Sequence, residues 1–77
     1  MTARQAAERM EREPCTIRKW ASRYHARQLG RVGREVVYDY ADLAFIEWCI
    51  WAGREVPATA EARDELRAAR RAATAAA

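Results

Sequence analysis

Residues 13–24, EPCTIRKWASRY, constrain this chain more than any other stretch. Pro14 suits a first helical position, where its missing N–H would find no partner anyway and its fixed φ matches the helix. Ile17, Trp20, Ala21 and Tyr24 then recur at i, i+3, i+4 and i+7, an apolar stripe along one side. At about 100° per residue, Cys15, Lys19 and Ser22 fall on the opposite side, flanked by Thr16, Arg18 and Arg23. The outer face is thus small, hydroxylic and cationic, without a carboxylate. Across residues 14–34 every charged side chain is positive: Arg18, Lys19, Arg23, Arg27, Arg31 and Arg34. An unbroken run of one sign repels itself on an ordinary solvated surface and is useful against phosphates.

The net charge of +3 is modest only as an average. Residues 1–40 hold nine basic against five acidic side chains, and residues 41–77 hold five against six. That asymmetry directs the first half at an anionic polymer. Thirteen Arg to a single Lys, with abundant Ala, is what a GC-rich genome produces, but it does not explain where the charges cluster. A chain of 77 residues makes one domain at most and has a small core. The rings of Trp20, Trp48, Trp51, Tyr38 and Phe45 are therefore expected to carry much of it.

Before the cationic helix, Thr2 and Gln5 have capping-box spacing, and Ala3, Ala6, Ala7 and Met10 make a narrow apolar face. Glu11, Arg12 and Glu13 form a short break. Two short helices so joined, the second with a cationic outer face, follow helix-turn-helix logic. Next, residues 29–31 and 35–38 alternate as two short strands, with Val32–Gly33 at the tip and Arg31 and Arg34 flanking it. A third helix begins at Asp39 or Tyr40, with Asp42 placed to favour its dipole. Leu43, Ile46 and Ile50 form one face bordered by Cys49, and Phe45, Trp48 and Trp51 form another. A helix apolar nearly all round needs cover on both sides. Gly53 closes it. From about Ala58 the Ala-rich sequence is strongly helical, and Leu66 is the one large residue on a shallow face. This last helix is expected to fold back over Phe45, Trp48 and Trp51, to reach another subunit, or to stand as an exposed tail.

The run AAERMEREPCTIRKWASR, followed by LGRVGREVVYDYADL, resembles the winged helix-turn-helix shared by MerR-type regulators and phage or plasmid excisionases. Ala6, Ala7, Met10, Pro14, Cys15, Thr16, Ile17, Arg18, Lys19 and Trp20 fit that family's pattern position by position. The resemblance covers residues 3–50. In the turn, Glu11 stands where the family usually has Gly, Arg12 replaces an aliphatic plug, and Glu13 is a poorer cap than Ser or Asn. The fold it implies is mainly α with a two-stranded β wing: a winged helix-turn-helix domain over residues 1–56, then a C-terminal helix over 57–77.

The expected activity is sequence-specific binding of double-stranded DNA. Thr16, Lys19 and Arg18 are the candidates for base contacts, Arg23 for phosphate, and Cys15 and Ser22 for the small groups beside them. Arg27, Arg31 and Arg34 are the wing candidates, set along the backbone or in the neighbouring minor groove. By resemblance, the role is that of an excisionase-type factor from a phage or mobile element, with an integrase as partner. Such a factor loads head to tail on tandem sites and bends DNA. The alternatives are a MerR-like transcriptional regulator, a phage packaging subunit, or, in another class, a helical interaction module built on Phe45, Trp48, Trp51 and Leu66.

No catalytic constellation is present in the sequence, and an enzyme is not expected. His25 is the single histidine, and it is placed at the end of the recognition helix near phosphate. Cys15 and Cys49 lack metal-ligand spacing, and no phosphate-cradling Gly loop occurs. Neither cofactor nor metal is expected. The polar start MTARQ has no apolar signal region, and residues 43–52 are too short to cross a bilayer, so a cytoplasmic protein is expected.

Overall fold

The computed structural model describes residues 1–76. Its order is α1 (Ala3–Met10), α2 (Pro14–Arg23), β1 (Gln28–Val32), β2 (Glu35–Tyr38), α3 (Tyr40–Trp51) and α4 (Ala60–Ala76). The protein is mainly helical, with one small antiparallel sheet between the helices.

The capping box forms as its spacing requires. Gln5 N–H donates to Thr2 Oγ1 at 3.2 Å, and Thr2 N–H donates to Gln5 Oε1 at 3.0 Å. Ala6 and Ala7 are buried, and their size lets α2 approach closely. Glu11 ends α1 in the left-handed region at φ 56°, the conformation for which glycine is the usual residue. Arg12 N–H then donates back to Ala7 O at 2.9 Å, so the turn closes despite the side chain at 11. Ile17 and Ala21 are the buried residues of α2, and Trp20 and Tyr24 pack at the core's edge. The core itself is small: Ala3, Ala6, Ala7, Ile17, Ala21, Ala26, Leu43 and Ile46. Of the rings expected to fill it, Trp20 and Tyr38 pack at its edge, Phe45 is buried outside this cluster, Trp48 is half-buried and Trp51 is exposed.

In the wing, Val32 pairs with Glu35, so the two-residue tip is Gly33–Arg34 rather than Val32–Gly33. Gly33 has φ 61° and Arg34 keeps a negative φ, the type II′ arrangement whose twist suits a hairpin. A bulge at Leu29 offsets the pairing between Gln28 and Gly30. The N-terminal residues extend the sheet: Thr2 bridges Val37, and Met1 exchanges two hydrogen bonds with Tyr38.

Asp39 caps α3 by accepting from Ala41 N–H at 3.1 Å. The inner face of α3 is Leu43, Ile46 and Cys49, each fully buried, whereas Ile50 is 38% exposed at the margin. Trp51 is 80% exposed and belongs to no covered face. Asp42 stands in the first turn of α3, as expected, but is not a surface residue. It is fully buried, and its partner is a side chain of α4.

That side chain is Arg63, with no exposed surface. Its Nε and Nη2 donate to the two Asp42 oxygens at 2.6 and 2.7 Å. Nη1 donates to the carbonyls of Tyr24 at 2.8 Å and Pro57 at 2.9 Å, and Nη2 reaches His25 O at 3.3 Å. Asp42 also accepts from Arg27 N–H at 2.8 Å. The pair ties the first turns of α4 to α3 and to the exit of α2. No helix among the described residues is long and apolar enough to cross a membrane.

Candidate nucleic-acid interface

The outer face of α2 follows from its anchoring. With Ile17 and Ala21 turned into the core, Cys15, Arg18, Lys19, Ser22 and Arg23 are exposed and Thr16 is half-buried. The wing leaves Arg31 and Arg34 exposed as well. Among the described residues, Arg18, Lys19, Arg23, Arg31 and Arg34 take part in no ion pair. Among the same residues, Arg9, Arg54, Arg70 and Arg71 also make no ion pair, the first three lying over aromatic rings, and the remaining arginines are paired. Arg12 pairs with Glu47 at 3.2 Å and lies over the Trp20 ring, taking the place of the aliphatic plug. Arg67 pairs with Asp64, and Arg63 is buried.

Arg27 is a correction to the wing set. Its guanidinium pairs with Asp64 and lies 3.9 Å from Asp39, so its charge is neutralised at the foot of α4. The cations of the wing are Arg31 and Arg34.

Arg18 and Arg34 both line a cleft of about 390 Å³ between α1, α2 and β2. Arg4 is the third cation lining it, a residue outside the set expected from the sequence. The signal was available: a cation in a helix's first turn opposes the dipole, so its position needs another reason. Glu35 also lines the cleft and lies 3.6 Å from Arg4, but both side chains are exposed and such a pair is weak. Three arginines and one carboxylate therefore line the cleft.

His25 ends α2 through its own left-handed backbone at φ 51°, and its carbonyl helps to hold Arg63. Cys15 is exposed on the α2 face. Cys49 is buried, and burial pushes its thiol above the ordinary range, so it stays protonated.

The four residues proposed for protein contact do not form one patch. Phe45 is buried and stacks on Trp48, with ring centroids 5.6 Å apart. Trp48 is half-buried beneath the Arg70 guanidinium, 4.0 Å above the ring, and Arg54 approaches it at 5.3 Å. Leu66 is half-buried, and Trp51 is exposed. The cover over α3 is thus made by arginine stacking more than by the one large apolar residue of α4.

Compared with models of protein families, with curated proteins and with solved structures, the chain matches none.

Proposed function

We propose that this protein binds double-stranded DNA, with α2 in the major groove and Arg31 and Arg34 on the adjacent backbone or minor groove. One observation carries the reading. Five exposed cations cluster on α2 and the wing without acidic partners, in a stretch, residues 14–34, that holds no carboxylate. Phosphates are the partners that such a surface fits. Lys19, with Arg18 and Thr16 beside it, is assigned to base edges and Arg23 to phosphate.

The role proposed within that class is excisionase-type, with tandem loading, bending of DNA and an integrase as partner. A single small module reads only a few base pairs, so useful specificity requires neighbours on the DNA. The exposed Ile50 and Trp51 supply apolar surface for such a neighbour.

Site selection from a random duplex library, followed by mobility shifts, tests the reading. Lys19→Ala is expected to cost about 1–3 kcal/mol at the selected site and to relax one position. Arg23→Ala is expected to weaken all sequences alike. If both variants lose selected and random DNA in the same ratio, Lys19 does not read bases. Inserting about half a helical turn, roughly five base pairs, between adjacent sites is expected to abolish cooperativity. Cooperativity that survives the insertion, or a tight two-fold dimer on palindromic sites, favours a MerR-like regulator instead.

A further inference from the structure

Across α3 from the core lies a second, shallow concavity of about 550 Å³, broadly open to solvent. Its floor is the stacked pair Phe45 and Trp48, and its wall is the outer half of α4, with Arg67, Arg70, Arg71 and Thr74. Phe45 and Trp48 stand about 200° around α3 from Leu43 and Ile46, so the groove faces away from the core shared by α1 and α2. No acidic side chain lines it.

We propose that this groove docks an acidic, amphipathic peptide segment of another protein, one in which a large apolar side chain is flanked by carboxylates. Three features select that chemistry. The floor is aromatic, with the Arg70 guanidinium 4.0 Å over the Trp48 ring, and an apolar side chain seats on the ring surface as that guanidinium turns to a carboxylate. The wall carries three guanidiniums, of which Arg70 and Arg71 have no ion-pair partner among the described residues. The third, Arg67, leaves its buried Nε without an acceptor although its Nη2 is paired with Asp64. A guanidinium fork meets a carboxylate with two parallel bonds, which gives such a wall its selectivity.

A second copy of this chain fits less well. Its exposed acids at residues 8–13, ERMERE, and 34–35 alternate closely with arginines, Glu61 and Glu65 have no large apolar side chain between them, and the chain as a whole is positive. A small ligand fits less well too, because an open groove leaves much of it in water. The inference is independent of what α2 binds.

The test uses the whole protein and two labelled, amidated peptides: Leu and Phe alternating with Glu, and the same peptide with Gln for Glu. Fluorescence anisotropy is read alongside tryptophan emission. The Glu peptide is expected to bind with a micromolar dissociation constant and the Gln peptide at least about tenfold more weakly. R70Q with R71Q is expected to weaken the Glu peptide about tenfold. Should that double variant melt early through loss of the Arg70–Trp48 stack, Arg71→Glu alone repeats the test, since Arg71 makes no ion pair. Equal binding of both peptides, or no binding of either, overturns the proposal. So does a double variant that lowers duplex affinity while leaving the peptide unaffected, which makes the groove a nucleic-acid contact. Concentration-dependent self-association that the same variant abolishes makes a second copy the occupant, and overturns it equally.

Discussion

Arg63 and Asp42 form a bidentate ion pair with no exposed surface on either side chain, Nε to Oδ1 at 2.6 Å and Nη2 to Oδ2 at 2.7 Å. Burying two charges is tolerable only when every remaining polar group is satisfied. Here the carbonyls of Tyr24, His25 and Pro57 take the other guanidinium protons, and Arg27 N–H completes the carboxylate. Removing Arg63 would leave Asp42 with the Arg27 N–H alone and would take a donor from three carbonyls. Arg63→Met is expected to destabilise the fold by about 3–5 kcal/mol, which consumes most of the stability of a domain this size. Urea titration followed by circular dichroism measures it. A loss below about 1 kcal/mol would show the pair to be dispensable.

The same pair sets the response to acid. Burial pushes the Asp42 carboxyl up, but the hydrogen bonds from Arg63 and Arg27 N–H, with the charges of Arg63 and Arg67, hold it below its ordinary 3.8. A carboxyl whose folded pKa is lower than its unfolded one contributes stability that is fully present above the unfolded value. That contribution is lost as pH falls through the folded value. Unfolding free energy is therefore expected to hold steady above about pH 5 with respect to this group and to drop below pH 3.8. In Asp42→Asn the drop assigned to this residue should vanish. An unaltered acid limb would place the titrating group elsewhere.

Glu11 offers a gain. At φ 56° its side chain is held in a region that costs a non-glycine residue roughly 1 kcal/mol. Its side chain makes no hydrogen bond or ion pair among the described residues. Glu11→Gly is expected to raise the thermal midpoint by a few degrees, about 4–8 °C per kcal/mol in a domain of this length. An unchanged or lowered midpoint would mean that the turn is not strained at this residue.

Trp20 packs at the core's edge with Arg12 over its ring. Trp20→Ala is expected to cost about 3 kcal/mol, read as a lowered urea midpoint. A folded variant with an unchanged midpoint and no affinity for DNA would show that this ring faces the ligand.

The parts of the fold legible in the sequence are those set by local spacing. The Thr2–Gln5 cap, the stripe from Ile17 to Tyr24 and the paired strands follow from periodicity and short-range hydrogen bonding. Arg63 was not legible. In an Ala-rich helix it looks the same as Arg67 or Arg70, and only tertiary position brings it to Asp42, twenty-one residues away in sequence. Arg27 misled for the same reason: the acids that neutralise it, Asp39 and Asp64, are distant in the chain. On α3 the lack of polar positions removed the periodic signal. Spacing alone groups Trp51 with Phe45 and Trp48 and puts Ile50 ahead of Cys49, whereas Trp51 is exposed and Cys49 is the buried residue. At the wing tip, Gly33 was placed second in the loop when its positive φ makes it first. Of the interface, the cationic face of α2 was visible from charge and spacing, but Arg4 joins Arg18 and Arg34 only once the wing folds beside α1.

The most direct test of DNA binding by α2 and the wing is the salt dependence of duplex affinity. Wild type is compared with the variant carrying Arg31→Ala and Arg34→Ala. Each phosphate contact contributes about 0.9 to the slope of log K against log salt, so the variant's slope should be shallower by about 1.8. Wild-type binding should weaken steeply as salt rises. An identical slope in the two proteins would remove the wing from the interface. Wild-type affinity indifferent to salt would contradict the assignment of these unpaired cations to DNA.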